Sequence, residues 1–362
     1  MKPINNKLNI FVIGTRAQLI KVAPIIKESE KQKKTCLMLM TGQHKDTMSD
    51  IILEFDLKTK QVFAVESKER STIFSLIYWF PRAIISVFLI LKNKKLLHPE
   101  ISVLVHGDTL TTLISACCAK SLGLVVVHLE SGLTSKKIFS PFPEELIRRI
   151  VFKLTDVAYC PDRVSTEHMK KISSATVINT EGNTIFDAVD IITKNNEEIK
   201  ANGKYIVFSI HRFQNIYNKK RLAYIVDLII SLSEGIEIKF ILHPATKKKL
   251  QSFNLIKALQ GKNNITLKDR MPYGDFIRLL SGSSCVFTDG GSNQEELSYL
   301  GIPTIIMRDA TERIDGLGKN AVMEADIEDI PNYIKSNTYI KLKKIPSLKN
   351  ESRCSKIIVQ DM

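Results

Sequence analysis

Three carboxylic acids in the first half of the chain stand where they could transfer protons. Asp108 and Glu130 come shortly after the apolar runs 101–105 and 124–128, and Glu144 follows the short segment Pro141-Phe142-Pro143. Such an acid can simply cap a helix or favour its dipole, which is the simpler interpretation of each one singly. Carboxylates crowded at one sheet edge instead raise one another's pKa and supply a general acid and a general base. We therefore predict that all three are catalytic.

Two glycine-containing turns could bind an anion. Gly14-Thr15-Arg16 opens a helix after the first apolar run, and Lys21 lies further along that helix. A second turn, Gly290-Gly291-Ser292, also joins an apolar run to a helix. Backbone N–H groups at such a turn would hold a diphosphate, and Glu296 could then bind ribose hydroxyls. Neither turn is a Walker A loop or a GxGxxG fingerprint, which argues against an NTPase or a dinucleotide enzyme.

Two histidines follow apolar runs in the second half. His211 comes after 205–210 and His243 after 237–242. Isolated histidines are usually structural, but two at neighbouring strand ends favour a functional site. We predict that His211 is catalytic and that His243 contacts the substrate.

Short β-branched runs alternate with helical stretches along the whole chain, and these elements must position the residues above. Each run is continuously apolar, as in parallel strands buried on both faces. The polar segment 185–204 predicts a linker. The pattern predicts an α/β fold of two Rossmann-like, doubly wound domains facing a ligand-binding cleft. We expect the domains at 1–184 and 185–345, with the tail 346–362 packing back on the first. The predicted strands are 8–13, 36–40, 101–105, 124–128, 157–159, 176–179, 205–210, 237–242, 265–267, 285–288 and 304–307.

The composition limits the class of protein and of partner. The 362 residues are 44% hydrophobic, which excludes a disordered or collagen-like chain. The net charge of +14 suits an anionic ligand, an acidic membrane surface or nucleic acid. We expect no nucleic acid, because no such motif is present and aromatic residues are only 7%. The six cysteines lack metal-site spacing, so we predict reduced thiols, a cytoplasmic location and no metal.

One segment, 73–91, is almost continuously apolar but has Pro81 and Arg82 at its centre. These two residues argue against a membrane span. We favour a buried helix pair or one that forms a homodimer. The alternative is a helix on the inner face of a membrane, with the lysines of 92–95 at the headgroups.

Taken in order, the motifs resemble the UDP-N-acetylglucosamine 2-epimerases over nearly the whole chain. The matching pieces are FVIGTRAQLIKVAPII, TGQH, VHGDT, HLESGL, SPFPEE, EGNTIFDA, HR, DGGSNQEE, LGIPTIIMRD and TER. The resemblance implies the glycosyltransferase-B architecture and a UDP-sugar substrate, without a cofactor. It also implies a reaction in which UDP-GlcNAc loses its C2 proton and UDP, giving 2-acetamidoglucal. Re-addition of UDP gives UDP-ManNAc, a precursor for surface polysaccharide, whereas a hydrolysing branch of the family adds water.

The resemblance assigns roles to individual residues. The acid/base carboxylates map onto Asp108, Glu130 and Glu144, and the histidine of the cleft maps onto His211. Glu296 takes the ribose position and Phe276 the uracil position. The phosphate and sugar contacts map onto Arg16, Lys21, Gly290, Gly291, Ser292 and Arg313.

Departures from the family pattern leave two enzyme classes open. Ala17-Gln18 stands where the family has Pro-Glu, Thr134 where it has Arg, and Ile147 where it has Asn. Such changes cluster in the sugar-binding half, which favours an epimerase for UDP-GlcNAc or a modified UDP-HexNAc. A glycosyltransferase with a lipid-linked acceptor would suit the apolar segment and the basic charge. It needs only one base, so retention of the carboxylates and His211 favours the epimerase. A third interpretation is a UDP-sugar-binding or nucleic-acid-binding protein without activity. Some members of the family are activated by their own substrate, and matches at Gln43, His44 and Arg70 leave such activation open for this chain.

Overall fold

The computed structural model describes residues 7–42, 48–65, 73–135, 143–194, 205–309, 311, 315–344 and 353–362. The chain divides into two compact units. Unit 1 comprises Met1–Ala188 and Asn350–Met362, and unit 2 comprises Val189–Lys349. The C-terminal residues are therefore part of the first unit.

Unit 1 is built on a seven-stranded sheet in which every described pair of neighbours is parallel, with the order β3-β2-β1-β4-β5-β6-β7. Its central strands are apolar and buried, as the continuous hydrophobic runs predict. The chain reverses its direction of winding between β1 and β4, which is where ligands bind in open α/β sheets. The strands are β1 Leu8–Ile13, β2 Cys36–Met40, β3 Gln61–Phe63, β4 Ile101–His106, β5 Val125–Leu129, β6 Val157–Cys160 and β7 Thr176–Asn179.

The helices of unit 1 alternate with its strands along the chain. They are α1 Arg16–Lys31, α2 Ser49–Glu54, α3 Ile73–Leu97, α4 Leu110–Ser121, α5 Glu144–Leu154 and α6 Arg163–Ile172, and helix α7 Thr184–Lys194 contains the boundary between the units. The last helix, Cys354–Asp361, packs against α1. It is fixed by the Tyr159 hydroxyl, which donates to Asp361 at 2.6 Å, and by Asp187, which accepts from the Ser355 amide at 2.6 Å.

Unit 2 repeats the plan with a six-stranded parallel sheet in the order β10-β9-β8-β11-β12-β13. Its winding reverses between β8 and β11. The strands are β8 Tyr205–Ser209, β9 Glu237–Leu242, β10 Ile265–Asp269, β11 Cys285–Thr288, β12 Thr304–Ile306 and β13 Ala321–Met323. The helices are α8 Phe213–Ile216, α9 Lys219–Ser233, α10 Pro244–Ser252, α11 Ile256–Leu259, α12 Tyr273–Ser281, α13 Gly291–Leu300 and α14 Ile330–Lys335, and the helix Cys354–Asp361 of unit 1 is therefore α15.

The α/β prediction of two Rossmann-like, doubly wound domains is confirmed, with local corrections. The three-residue strands β3 and β13 were not predicted. The prediction of a linker at 185–204 is wrong for the first half of that segment, because α7 extends to Lys194. Four apolar residues there are buried at helical spacing: Ile185, Ala188, Val189 and Ile192.

The apolar segment 73–91 forms one helix, α3, rather than a helix pair. A stripe at four-residue spacing, made of Trp79, Ala83, Val87 and Leu91, is fully buried in the core of unit 1. The opposite face exposes Ile77, Ile85 and Leu89 to solvent. Within the described residues, no helix is long and apolar enough to cross a membrane.

Candidate active site

The predicted residues of unit 1 lie at the C-terminal edge of its sheet. Asp108 follows β4, Glu130 directly follows β5, and Glu144 is the first residue of α5. The simpler interpretation of Asp108 is wrong, because the cap of α4 is Thr109, whose hydroxyl accepts from the Thr112 amide.

Glu130 is the centre of a buried polar cluster. Its Oε1 accepts from Lys21 Nζ at 2.6 Å and from Asn183 Nδ2 at 2.6 Å, and its Oε2 lies 3.5 Å from His106 Nε2. The side chains of Lys21 and Glu130 are only 5% and 9% exposed, so the ammonium compensates a charge that burial would otherwise disfavour. The backbone of Glu130 is left-handed, with φ of +58°, a strained conformation of the kind that clusters at functional sites.

Asp108 belongs to a second ion-pair cluster. Arg148 Nη2 donates to Asp108 Oδ2, and Arg148 Nη1 donates to Glu145 Oε2 at 3.0 Å. Burial alone would raise the pKa of Glu145, but hydrogen bonds from Thr134, Ser135 and Arg149 and the charge of Arg148 lower it. Glu145 is therefore a fixed anion that orients Arg148 toward Asp108.

Glu144 differs from its neighbour. Its side chain is half-buried, and its Oε2 is buried with no hydrogen-bond partner among the residues that the structure describes. A buried carboxyl oxygen without a protein donor is available to a substrate.

The turn after β1 is shaped for close approach. A Cβ on Gly14 would lie 2.0 Å from Thr111 Oγ1, so only glycine fits there. Arg16, which we predicted to contact an anion, forms a two-point ion pair with Asp50 at 2.6 and 2.5 Å. This pair fixes the guanidinium beside the N-terminus of α1, where the helix dipole favours an anion.

In unit 2, His211 and the second glycine turn lie at the winding reversal of the sheet, between β8 and β11. His211 follows β8, and its Nδ1 lies 3.2 Å from Oδ1 of the fully buried Asp289, which follows β11. The rings of His211 and His243 are 4.4 Å apart. Burial lowers the pKa of His211, although Asp289 opposes the shift, and lowers that of His243 to about 3. His243 is therefore neutral at physiological pH.

The second glycine turn leads into α13. Gly290 has no room for a side chain, because a Cβ there would lie 2.6 Å from Asn293 Oδ1 and 3.1 Å from His211 Cε1. Gly291 and Ser292 begin the helix, and amides in the first turn of a helix have no acceptor within it. Asn293 Nδ2 donates to the buried Glu296 at 3.0 Å, which orients this carboxylate.

The remaining predicted residues are less informative. Phe276 lies half-buried on α12. Arg313, Gln43, His44 and Arg70 lie outside the described residues. Among the residues that the structure describes, no group of three or more His, Cys, Asp and Glu side chains could hold a metal ion.

Sequence reasoning missed the partners that orient the predicted groups. Asp50 holds Arg16, Arg148 holds Asp108, Asn183 holds Glu130, and Asp289 accepts from the His211 amide. Asp289 was within a quoted motif, and its buried position directly after a strand was the available signal. Asn183 also lay within a quoted motif, EGNTIFDA, whereas Asp50 carried no comparable signal.

Comparison with known proteins gives a consistent result. A family model described as UDP-N-acetylglucosamine 2-epimerase matches residues 27–351. A UDP-N-acetylglucosamine 2-epimerase of Neisseria meningitidis is 30% identical over 382 residues, covering 98% of each chain. One from Methanocaldococcus jannaschii is 31% identical over 322 residues, covering 85% of each chain.

Solved structures agree in fold. The structure of UDP-GlcNAc 2-epimerase from Neisseria meningitidis bound to UDP-GlcNAc has a TM-score of 0.81 at 25% identity, covering 98% of this chain and 99% of that one. The Methanocaldococcus jannaschii enzyme in complex with UDP-GlcNAc and UDP has a TM-score of 0.76 at 27% identity, with the same coverage.

Proposed function

This chain belongs to the UDP-N-acetylglucosamine 2-epimerase family, and from that premise we propose that it interconverts UDP-GlcNAc and UDP-ManNAc. The observation that carries the proposal is the pair of separately compensated carboxylates in unit 1, Glu130 with Lys21 and Asp108 with Arg148. Inversion at C2 requires a proton to leave one face of the sugar and return to the other. Two carboxylates held in different ion pairs suit that requirement better than one shared site.

The chemistry proceeds by elimination and re-addition. A carboxylate removes the C2 proton while the C1–O bond breaks, and its electron pair leaves with UDP, so that C1=C2 forms in 2-acetamidoglucal. UDP then attacks C1, and C2 receives a proton on the opposite face. We assign the proton transfers to Asp108 and Glu130, with Glu144 as a third acid/base group near the reacting carbons.

The departing UDP needs hydrogen-bond donors and a fixed ribose. We propose that the N-terminal turn of α13 (Gly290, Gly291 and Ser292) holds the diphosphate, and that Glu296 holds the ribose hydroxyls. His211 acts at the diphosphate end, with His243 packed against its ring and Asp289 accepting from its backbone amide. Arg16, Lys21, Phe276 and Arg313 are the further substrate contacts we propose.

The test is proton NMR of the protein with UDP-GlcNAc in D2O. We expect deuterium at C2 together with signals of UDP-ManNAc, whereas free ManNAc would indicate the hydrolysing reaction. Absence of C2 exchange despite UDP binding would refute epimerisation of this sugar, and other UDP-HexNAc substrates would follow. Asp108→Asn and Glu130→Gln should each abolish exchange and leave UDP binding near the wild-type value. Full activity of either variant would remove that carboxylate from the mechanism.

We further propose that a second copy of the chain covers the outer face of α3, and that the enzyme works in the cytoplasm. Support for the dimer comes from Ile85 and Leu89, which are 60% and 50% exposed on a helix whose other face is in the core. Ile85→Lys and Leu89→Lys should convert a dimer to a monomer in analytical ultracentrifugation. A wild-type monomer that binds anionic liposomes, with binding lost in these variants, would instead favour the peripheral membrane contact through 73–95.

A further inference from the structure

The buried amide of Gln18 bridges the two loops that carry predicted catalytic and anion-binding residues. Its Oε1 accepts from the Gly14 and Thr15 amides at 2.9 and 3.1 Å. Its Nε2 lies 2.8 Å from the His106 carbonyl oxygen and 2.9 Å from Thr109 Oγ1. The oxygen thus faces donors and the nitrogen faces acceptors, which leaves this 3% exposed side chain fully satisfied.

The segment between His106 and Thr109 is held from other directions as well. The Gly107 amide donates to the Leu129 carbonyl oxygen at 3.1 Å, and His128 Nε2 lies 2.9 Å from the Gly107 carbonyl oxygen. Those two contacts tie the segment to β5. The bonds of Gln18 tie it to α1, the helix that begins at Arg16 and contains Lys21, the partner of Glu130.

We propose that Gln18 is a positioning residue for the reaction. It sets the distance between the backbone that carries Asp108 and the helix that carries Arg16 and Lys21. This inference rests on the proposed function, because Asp108 and Lys21 matter together only if they act on one substrate. The competing explanation is local, since Gln18 also completes a capping box with Thr15 at the start of α1. A cap alone affects stability and not the rate of catalysis.

The test compares Gln18→Met with Gln18→Glu. Methionine keeps the length of the side chain and loses every hydrogen bond. Glutamic acid, kept protonated by burial, can accept from the Gly14 and Thr15 amides with its carbonyl oxygen and donate to the His106 carbonyl oxygen with its hydroxyl. We expect Gln18→Met to lower kcat at least about tenfold with KM and UDP affinity within about threefold, a loss of about 1.4 kcal/mol in transition-state stabilisation. Gln18→Glu should restore kcat to within about threefold of wild type, since most of the bridge is kept.

Gln32→Met is the matched control. Gln32 lies at the other end of α1, is exposed, and its side chain donates to Glu28 at 3.0 Å. It should leave kcat unchanged. If Gln18→Met does not fold, Gln18→Asn replaces it, because asparagine keeps the amide but is one methylene too short to reach both loops. A folded variant with wild-type kcat overturns the inference. A lowered kcat that is accompanied by equal losses of UDP affinity and thermal stability also overturns the inference.

Amide hydrogen exchange separates this inference from the proposed function. The bridge predicts faster exchange in the peptide spanning 106–112 in Gln18→Met and no change in Gln32→Met. If the wild-type protein gave no C2 exchange, the proposed function would fail while this measurement still tested the bridge. Unchanged protection of 106–112 in an active protein would overturn the bridge and leave the function standing.

Discussion

Protonation of His128 should destabilise unit 1 in mild acid. The imidazole is fully buried on β5, between the Gly107 carbonyl oxygen at 2.9 Å and the Phe152 ring at 5.7 Å. Because Nε2 faces a carbonyl oxygen, it carries the proton of the neutral ring. Burial lowers the pKa of His128 from 6.5 to about 4, although the hydrogen bond to Gly107 opposes the shift.

The size of the effect follows from linkage between protonation and folding. The unfolded chain takes up a proton near pH 6.5, while the folded chain resists it until about pH 4. Stability from the neutral ring is therefore complete above pH 6.5 and is lost as the pH falls toward 4. Between pH 7.5 and 4.5, this one group should remove about 2.5 kcal/mol from the free energy of unfolding of unit 1.

Fluorescence of Trp79 can follow unit 1 alone, because the chain has one tryptophan and it is fully buried in the core of that unit. Urea denaturation of wild type and His128→Gln would be measured at pH 7.5 and 4.5. Glutamine keeps a donor near the position of Nε2 and does not titrate. We expect the variant to be less stable than wild type at pH 7.5 but to lose about 2.5 kcal/mol less on acidification. Equal losses in the two proteins would refute the buried-neutral assignment.

Three further predictions concern the two sites. Lys21→Met should destabilise unit 1 by about 3 kcal/mol in the same assay, because Glu130 loses its cation. The double variant with Glu130→Gln should recover much of the lost stability, since the buried charge is then removed. Equal stability of Lys21→Met and wild type would contradict a buried ion pair. Gly290→Ala should weaken UDP binding in calorimetry by about tenfold, because the added Cβ would crowd Asn293 and His211. Gly235→Ala is the control and should have no effect, because the space around Gly235 is open. Glu296→Ala should weaken UDP binding by about 1–3 kcal/mol, with the exposed Glu234→Ala as control, and an unchanged affinity would remove Glu296 from the site.

The continuous apolar runs predicted most of the sheets because a strand buried on both faces has little room for a polar residue. The same runs located Asp108, Glu130 and His211, since residues that follow parallel strands share one edge of the sheet. Helix α7 was missed for a different reason. The polar stretch 193–204 suggested a linker for the whole segment, although the buried positions of α7 have the spacing of an amphipathic helix.

Partners that are distant in sequence could not be predicted in this way. Arg16 pairs with Asp50 across 34 positions, and Gln18 reaches His106 across 88. Nothing in the local pattern around Asp50 distinguishes it from a solvated polar residue. The sequence also could not show which face of α3 is exposed. Apolar residues occur all around this helix, so the buried stripe that contains Trp79 does not stand out from the others.

In the proposed function the two units have opposite electrostatic requirements, although each is built on a parallel sheet with one reversal of winding. Proton transfer needs carboxylates, and unit 1 stabilises Glu130 and Asp108 with the cations Lys21 and Arg148. Binding of a diphosphate needs donors without a competing anion, yet unit 2 has the buried Asp289 beside its glycine turn. That carboxylate accepts from the amides of His211 and Arg212 and from Asn215 Nδ2, at 2.8 to 3.0 Å. These bonds hold the Asp289 carboxylate against the loop after β8, where it orients His211. The amides that begin α13 therefore stay available to an anionic ligand.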